Sequence, residues 1–525
     1  MTAQCNRALI TVVLLALGSA GCDSSNAPRV ELEPVNTDSA EYVGSNQCAD
    51  CHAEIWQHWQ GSHHQLAMAE PTPDTVFGDF ADAELVHGKH RTLFQTAGSA
   101  FVVATTDGAN ASKDLTQLRI RYTFGVAPLQ QYLVDLGGGR LQALPMVWDN
   151  RAGSGSRNTV AHQDGWYHLN PSADAIENPE HWRRGGQNWN HMCADCHSTA
   201  VRKNYDPATD TFATEFAEIS VGCEACHGPG SLHAQQPTIV PLPTLKEAAQ
   251  QVNTCGTCHS RRTQLAEGFT PQQNYLDHYL PALLDDGLYH ADGQILDEVY
   301  VHGSFVQSKM HRAGVACSNC HEPHSAQLKI PGNGVCTQCH NVNGRADFPS
   351  LRPANYDSIE HHFHQQGTEA AACVSCHMPE RVYMGIDGRR DHSFRKPRPD
   401  LSERTRAPNP CTDCHKSESV QWAADAVRAH FGAPPADETL HFGVIFALAR
   451  DGQLNAESAL AAVAQNSKQP DIVRATALSL MGRYQRQISS EAIVAGLNSA
   501  SALQRIGAVR GAARWSFTER WRRLR

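Results

Sequence analysis

Apolar and polar positions alternate along Leu118-Arg119-Ile120-Arg121-Tyr122-Thr123-Phe124. Successive strand side chains point to opposite faces, so this pattern predicts a strand with one buried side. Ala100 to Ala104, Gln131 to Leu136 and Leu141 to Val147 read as further strands, the last preceded by the break Gly137-Gly138-Gly139. Together they predict a small antiparallel β region over about residues 85–170. Ala53 to Trp59 reads as a helix ending near Gly61. Toward the C-terminus the period lengthens: Ile472, Ala475, Leu478 and Met481, with Val473, Ala477 and Leu480, share one broad helical face. A similar pattern returns in Leu503 to Arg510. The 31-residue offset between Arg474 and Arg505 predicts stacked helical pairs, HEAT-like in kind with TPR-like pairs as the alternative.

The N-terminal pattern serves another purpose. After Arg7, the run Ala8 to Ala20 is apolar but too short for the roughly 20 residues of a spanning helix, and it fits a secretory signal. It ends in Ser19-Ala20-Gly21-Cys22, which resembles a bacterial lipoprotein signal with Cys22 as the acylated residue, although Ser19 stands where such signals usually carry Leu. By the same analogy Asp23 favours retention at the inner membrane. A polar linker follows at 23–40, and no other stretch is long and apolar enough to span.

Between residues 193 and 415 neither period is sustained, and composition becomes the guide. The chain has 525 residues, 18 Cys and 29 His. Without Cys5 and Cys22, every cysteine falls in a C-x-x-C pair followed directly by His. The eight copies, motifs 1 to 8, are Cys48/Cys51/His52, Cys193/Cys196/His197, Cys223/Cys226/His227, Cys255/Cys258/His259, Cys317/Cys320/His321, Cys336/Cys339/His340, Cys373/Cys376/His377 and Cys411/Cys414/His415. This is the attachment motif of c-type haem: one turn of chain presents two thiols to the haem vinyl groups and an imidazole to the iron. Zinc ribbons or disulfides would use paired cysteines but make no demand for the following His. Eight covalently bound haems c are therefore expected, the eight motif histidines being the proximal ligands.

The 21 remaining histidines exceed ordinary usage by about the number needed for second axial ligands. His324 and His233 lie three and six residues after their own motif histidines, too near to reach the opposite face of that haem, so they are expected to ligate neighbours. His311, His361, His362, His364, His392, His168, His181 and one of His63/His64 are further candidates. Met310, Met378 and Met384 are the alternative axial donors. With about 32 residues per motif in 193–415, cofactors rather than layered secondary structure should form the core there. The expected fold is mostly α and irregular, with the β insertion and the helical tail. The expected segments are a signal at 1–22, the linker at 23–40, a haem domain at 41–418 and repeats at 419–525.

Formal charge is −10, which argues against general nucleic-acid binding. Residues 418–525 hold 13 Arg and Lys against 9 Asp and Glu, a net +4, leaving −14 for the rest. An acidic body favours redox partner proteins with a basic docking surface; contact with a membrane is expected only through the anchor at Cys22.

Trp59-Gln60-Gly61-Ser62-His63-His64, Asn188 to Thr199, Val221 to Gly230 and Cys376-His377-Met378-Pro379 resemble exported bacterial multihaem cytochromes, in which a haem domain similar to the tetrahaem partner of hydroxylamine oxidoreductase is fused to helical repeats. The resemblance covers roughly residues 40–415. It implies bis-histidine haems in stacked and perpendicular pairs and selects His64 over His63. Electron transfer without catalytic residues is the function expected. An oxidoreductase acting on small nitrogen or sulfur compounds at one open haem is the alternative, and an assembly scaffold is a third reading.

Overall fold

The computed structural model describes residues 39–88, 90–106, 115–151, 164–173, 177–433 and 441–523. The signal peptide, Cys22 and nearly all of the linker lie outside them. Nine antiparallel strands form the inserted sheet: β1 Met68–Ala69, β2 Ala83–His87, β3 His90–Ala97, β4 Ala100–Thr105, β5 Thr116–Phe124, β6 Leu129–Asp135, β7 Leu141–Ala143, β8 Met146–Asp149 and β9 Trp166–His168. Their order is β2-β3-β4-β5-β6-β8-β9, with β1 on β5 and β7 on β6. The sheet is larger than the strand patterns suggested, because β2, β3 and β9 carry weak alternation and are held by pairing. Leu141 to Val147 splits into β7 and β8 around Leu144-Pro145, where proline cannot donate to the ladder.

Along β5, Leu118, Ile120 and Tyr122 are buried and Arg119 and Arg121 exposed, as alternation requires. The sheet core is aromatic. Phe94 stacks on Trp166 at 3.6 Å, and Phe80 meets both rings edge-on. A second cluster of Met68, Leu133, Ala143, Trp189 and Ala194 joins the sheet to motif 2. A third, Leu129, Val147, Tyr167 and Ile386, joins it to the hairpin Glu380–Arg390, where the Tyr167 hydroxyl donates to the Met384 carbonyl at 2.9 Å. Burial of each such side chain contributes about 1.5–3 kcal/mol.

From Cys193 to Cys414 the elements are short helices, most of them a single turn and the longest Ala248–Gly256, and two-stranded ribbons. Longer helices return in the tail: α1 Val420–Phe431, α2 Phe442–Arg450, α3 Ala456–Gln465, α4 Asp471–Met481, α5 Gln487–Leu497, α6 Ala502–Ala513 and α7 Phe517–Arg523. The predicted helices at 472–481 and 503–510 are α4 and α6, but the buried surface differs from the predicted faces: α4 is buried on nearly every side, and α6 buries Gln504, Gly507 and Ala508 while Val509 is exposed. The two helices pack closely because Gly507 and Gly511 of α6 lie against the backbone of Ala475 and Leu478. The tail core is continuous with Leu283, Leu284, Tyr289, Ile295 and Val299 from the motif region. Arg450 of α2 donates to the Leu284 and Tyr289 carbonyls at 2.8 and 2.9 Å. Ala40–Arg525 is accordingly one compact unit, and packing crosses residue 418 without interruption.

Candidate haem-binding sites

The local shape of the motifs follows from their spacing. In motifs 1, 2, 4, 6 and 8 the histidine N–H donates to the carbonyl of the first cysteine at 2.8–3.2 Å, closing one helical turn. Motifs 3 and 7 are helical turns throughout, Cys223–His227 and Cys373–His377. Motif 5 differs: a 3-10 turn at Cys317–Asn319 leads into a short ribbon at His321. None of the sixteen motif cysteines is in a disulfide.

Six motif histidines face a second imidazole. The ring centroids of His52 and His233 are 6.2 Å apart, His259 and His64 6.3 Å, His227 and His324 6.4 Å, His321 and His392 6.5 Å, His377 and His361 6.2 Å, and His415 and His364 6.2 Å. These rings are too far apart to touch. A metal between two imidazoles, bonded at about 2.0–2.1 Å to each, requires centroids about 6.2–6.4 Å apart once the nitrogen-to-centre distance of each ring is added. The spacing is that of two axial ligands on one metal.

The tautomers agree with this. The Nδ1 atoms of His227, His377, His233 and His392 lie 2.7, 2.7, 2.8 and 2.9 Å from the carbonyl oxygens of Pro243, Arg395, Val240 and Arg390. An Nδ1–H donated to a carbonyl leaves the Nε2 lone pair for a metal. Burial pushes His197 and His259 down to about 4, and lowers His64, His227, His321, His340, His361 and His392 below the ordinary imidazole value. Each is neutral at pH 7, the form that coordinates.

The remaining candidates sit elsewhere. His168 stacks on His87 of β2 at 5.0 Å. His181 is buried beside Trp182 and accepts from the Arg183 N–H. His311 meets Phe305 edge-on at 5.5 Å, and His362 bonds Gln366 at 3.0 Å. Beside His197 and His340 the ring contacts are aromatic: Phe124 at the end of β5, 4.5 Å from His197, and Tyr356, 5.7 Å from His340. Nothing in the sequence pattern singled out either ring.

The motifs are joined through their thiols. Cys48 lies close to Cys223, Cys196 to Cys258, Cys255 to Cys317, and Cys336 to Cys373. Cys226 lies within electrostatic range of Cys258, Cys320 of Cys339, and Cys376 of Cys411 and Cys414. The resulting series runs 1, 3, 4, 5, 6, 7, 8, with motif 2 attached at motif 4. Between motifs 2 and 4 the buried Arg262 guanidinium pairs with Asp195, which also accepts from Gln264 at 3.0 Å and Tyr279 at 3.2 Å. Motif 3 is tied to the chain before motif 1 by Glu224, whose carboxylate accepts the Val43, Gly44 and Gly230 N–H groups at 3.0, 2.8 and 2.7 Å. The terminal motifs hold the two exposed cysteines, Cys51 and Cys414.

One continuous cavity of about 4130 Å³ threads the series, lined by all eight motif histidines and fifteen of the sixteen motif cysteines, Cys193 being the exception. Arg389, Arg390, Arg395, Lys396 and Arg398 also line the cavity, where cations can face propionates. Paired thiols, facing imidazoles, cations and the continuous cradle all fit covalently held haem. The chain is a multihaem c-type cytochrome.

Residues 47–91 and 156–228 match the family model of cytochrome c554 and c-prime, and residues 310–345 match that of the doubled CXXCH motif. No curated protein matches the chain. Among solved structures it is similar to the outer cell wall cytochrome OcwA, at 16% identity and a TM-score of 0.51, over 92% of this chain and 100% of that one. An undecaheme cytochrome from the S-layer of Carboxydothermus ferrireducens aligns at 17% identity and a TM-score of 0.38, over 90% of this chain and 69% of the other. Among the described residues no helix is long and apolar enough to cross a membrane.

Proposed function

We propose that this chain is an exported octahaem cytochrome that carries electrons along the motif series, with motifs 1 and 8 as its surface ends. The observation that carries the reading is the set of six facing imidazole pairs. The residues with named roles are the sixteen motif cysteines as thioether donors, the eight motif histidines as proximal ligands, and His233, His64, His324, His392, His361 and His364 as distal ligands of motifs 1, 4, 3, 5, 7 and 8. Haem c supplies one-electron exchange at its iron, and two histidine ligands favour low potentials over those of a His/Met site. The protein fixes ligand tautomers through backbone carbonyls and brings successive motifs close together.

The acidic body suits a redox partner with a basic docking surface. Export rests on the apolar run Ala8 to Ala20 and on the need to attach c-type haem outside the cytoplasm; acylation at Cys22 would hold the protein on the membrane. The tail helices are read as HEAT-like pairs. A second reading, an oxidoreductase acting on small nitrogen or sulfur compounds, is favoured at motif 2. There Tyr300, in a left-handed conformation at φ 58°, faces the cavity with Arg389 5.6 Å from its ring.

Mass spectrometry should find eight haems per chain, and EPR of the oxidised protein should show low-spin ferric signals from the six paired sites, motifs 1, 3, 4, 5, 7 and 8, that ignore nitrite, hydroxylamine and cyanide. Turnover of nitrite or hydroxylamine, abolished by Tyr300→Phe at motif 2, would move the assignment to the second reading. A haem count below eight would sink the octahaem proposal.

A further inference from the structure

One end of the helical tail carries a surface the haem reading leaves unused. Three segments converge there. The Tyr484 hydroxyl donates to the Gln453 carbonyl at 2.9 Å, and Trp515 Nε1 donates to the Tyr484 carbonyl at 3.3 Å. Arg523 of α7 reaches the Gln485 carbonyl and Ser490 Oγ, both at 2.6 Å. These bonds fix α7 along the start of α5, and tie the turn at Gln453-Leu454 to Tyr484 just before α5.

Large apolar side chains nevertheless point outward at this end: Phe517 is 75% exposed, Leu454 68%, Trp521 57% and Ile488 37%. Phe517 and Trp521 are four residues apart on α7 and therefore share a face. None of the four lines the haem cavity. Isolated exposed apolar residues are ordinary, but a cluster rimmed by charge marks a contact surface.

The rim is basic. Segments 483–491 and 514–523 hold Arg483, Arg486, Arg514, Arg520, Arg522 and Arg523 against Glu491 and Glu519, a net +4 on a chain whose total is −10. Arg514 and Arg522 are exposed. Tryptophan, phenylalanine and aliphatic side chains ringed by arginine are the chemistry of the bilayer interface, where rings sit at headgroup depth and guanidinium groups meet lipid phosphates. The acidic remainder of the molecule is repelled by the same surface, so a docked molecule is oriented.

We infer that this end of the tail is a docking site for an anionic phospholipid bilayer, with Phe517, Trp521, Ile488 and Leu454 entering the headgroup layer and the arginines pairing with phosphates. The contact is independent of haem and of any acyl chain at Cys22.

Co-sedimentation of the holoprotein with phosphatidylcholine vesicles, with and without about one-third phosphatidylglycerol, tests it. An acyl anchor acts on both lipids alike, so the ratio of the two partition coefficients isolates the patch. That ratio should be roughly tenfold or more at low salt and fall toward one in the Arg514→Glu/Arg522→Glu variant. Phe517→Ser/Trp521→Ser should lower partitioning into both lipids, with the haem spectrum and helical circular dichroism unchanged. Raising salt on the wild type should also bring the ratio toward one. A wild-type ratio near one, or one that the arginine reversals leave unchanged, overturns the proposal. So does capture of an acidic protein through these residues without preference for anionic vesicles.

Discussion

His361 and His377 face each other with ring centroids 6.2 Å apart and planes 10° from parallel. One residue further along, His362 points to Gln366 instead. This distinction predicts opposite outcomes for neighbouring substitutions. His361→Ala should convert one low-spin haem to high spin or to a water ligand, while His362→Ala should leave the EPR spectrum unchanged. Equal effects of the two would remove the pairing.

Glu224 is buried, 3% exposed, and receives three backbone N–H groups from two segments. Glu224→Ala leaves those donors without their acceptor, at a cost of about 2–4 kcal/mol allowing for partial relaxation. The expected result is a lower denaturant midpoint and early proteolysis between residues 40 and 52, with all haems still attached. Unchanged protease resistance would argue that Glu224 does not hold this segment.

Gly507→Ala sets two effects against each other. Alanine gains about 1 kcal/mol of helix propensity over glycine. Its Cβ, however, would collide with the backbone of Ala475 on α4, and overpacking against atoms that cannot rotate away costs about 1–3 kcal/mol or more. The collision should win, lowering the melting temperature followed by far-ultraviolet circular dichroism. A rise would show that α4 and α6 can separate freely.

His441 caps α2 by accepting the Gly443 N–H on Nδ1 at 3.1 Å. Burial, and then the nearby Arg395 and Arg398, push its pKa down to about 4, against Asp292 and Asp400, which raise it. The unfolded chain therefore binds the proton more readily. Stability is fully present above about pH 6.5 and declines as pH falls toward about 4, by up to about 3 kcal/mol for this group. His441→Asn keeps an N-cap acceptor without titrating. Its melting temperature should fall less than that of the wild type between pH 7 and pH 5; parallel losses would place the acid sensitivity elsewhere.

The attachment motifs were legible because thioether formation dictates both residue type and spacing within one turn of chain. Strand β5 was legible because burial on one face imposes a period; α4 and α6 were legible as helices, but α4 is buried on nearly every side and α6 buries Gln504, Gly507 and Ala508 rather than an apolar stripe. His324, His233, His364 and His392 could be proposed as ligands from their positions, whereas His168 could not be told apart from them: a histidine on a sheet and one on a haem look the same in one dimension. The glycine contact of α6 on α4 left no pattern that set it apart from other helical glycines.

The sequence by itself determined the cofactor chemistry, since two thiols and an imidazole in a fixed turn admit few other uses. It also determined the acidic body and the basic tail. Only the tertiary structure decided which imidazoles face each other, the order in which the motifs meet, and the continuity of the tail core with residues 283–299. Those are long-range relations, such as His52 with His233, 181 positions apart in the sequence. They follow from the summed packing of distant segments, which local spacing does not encode.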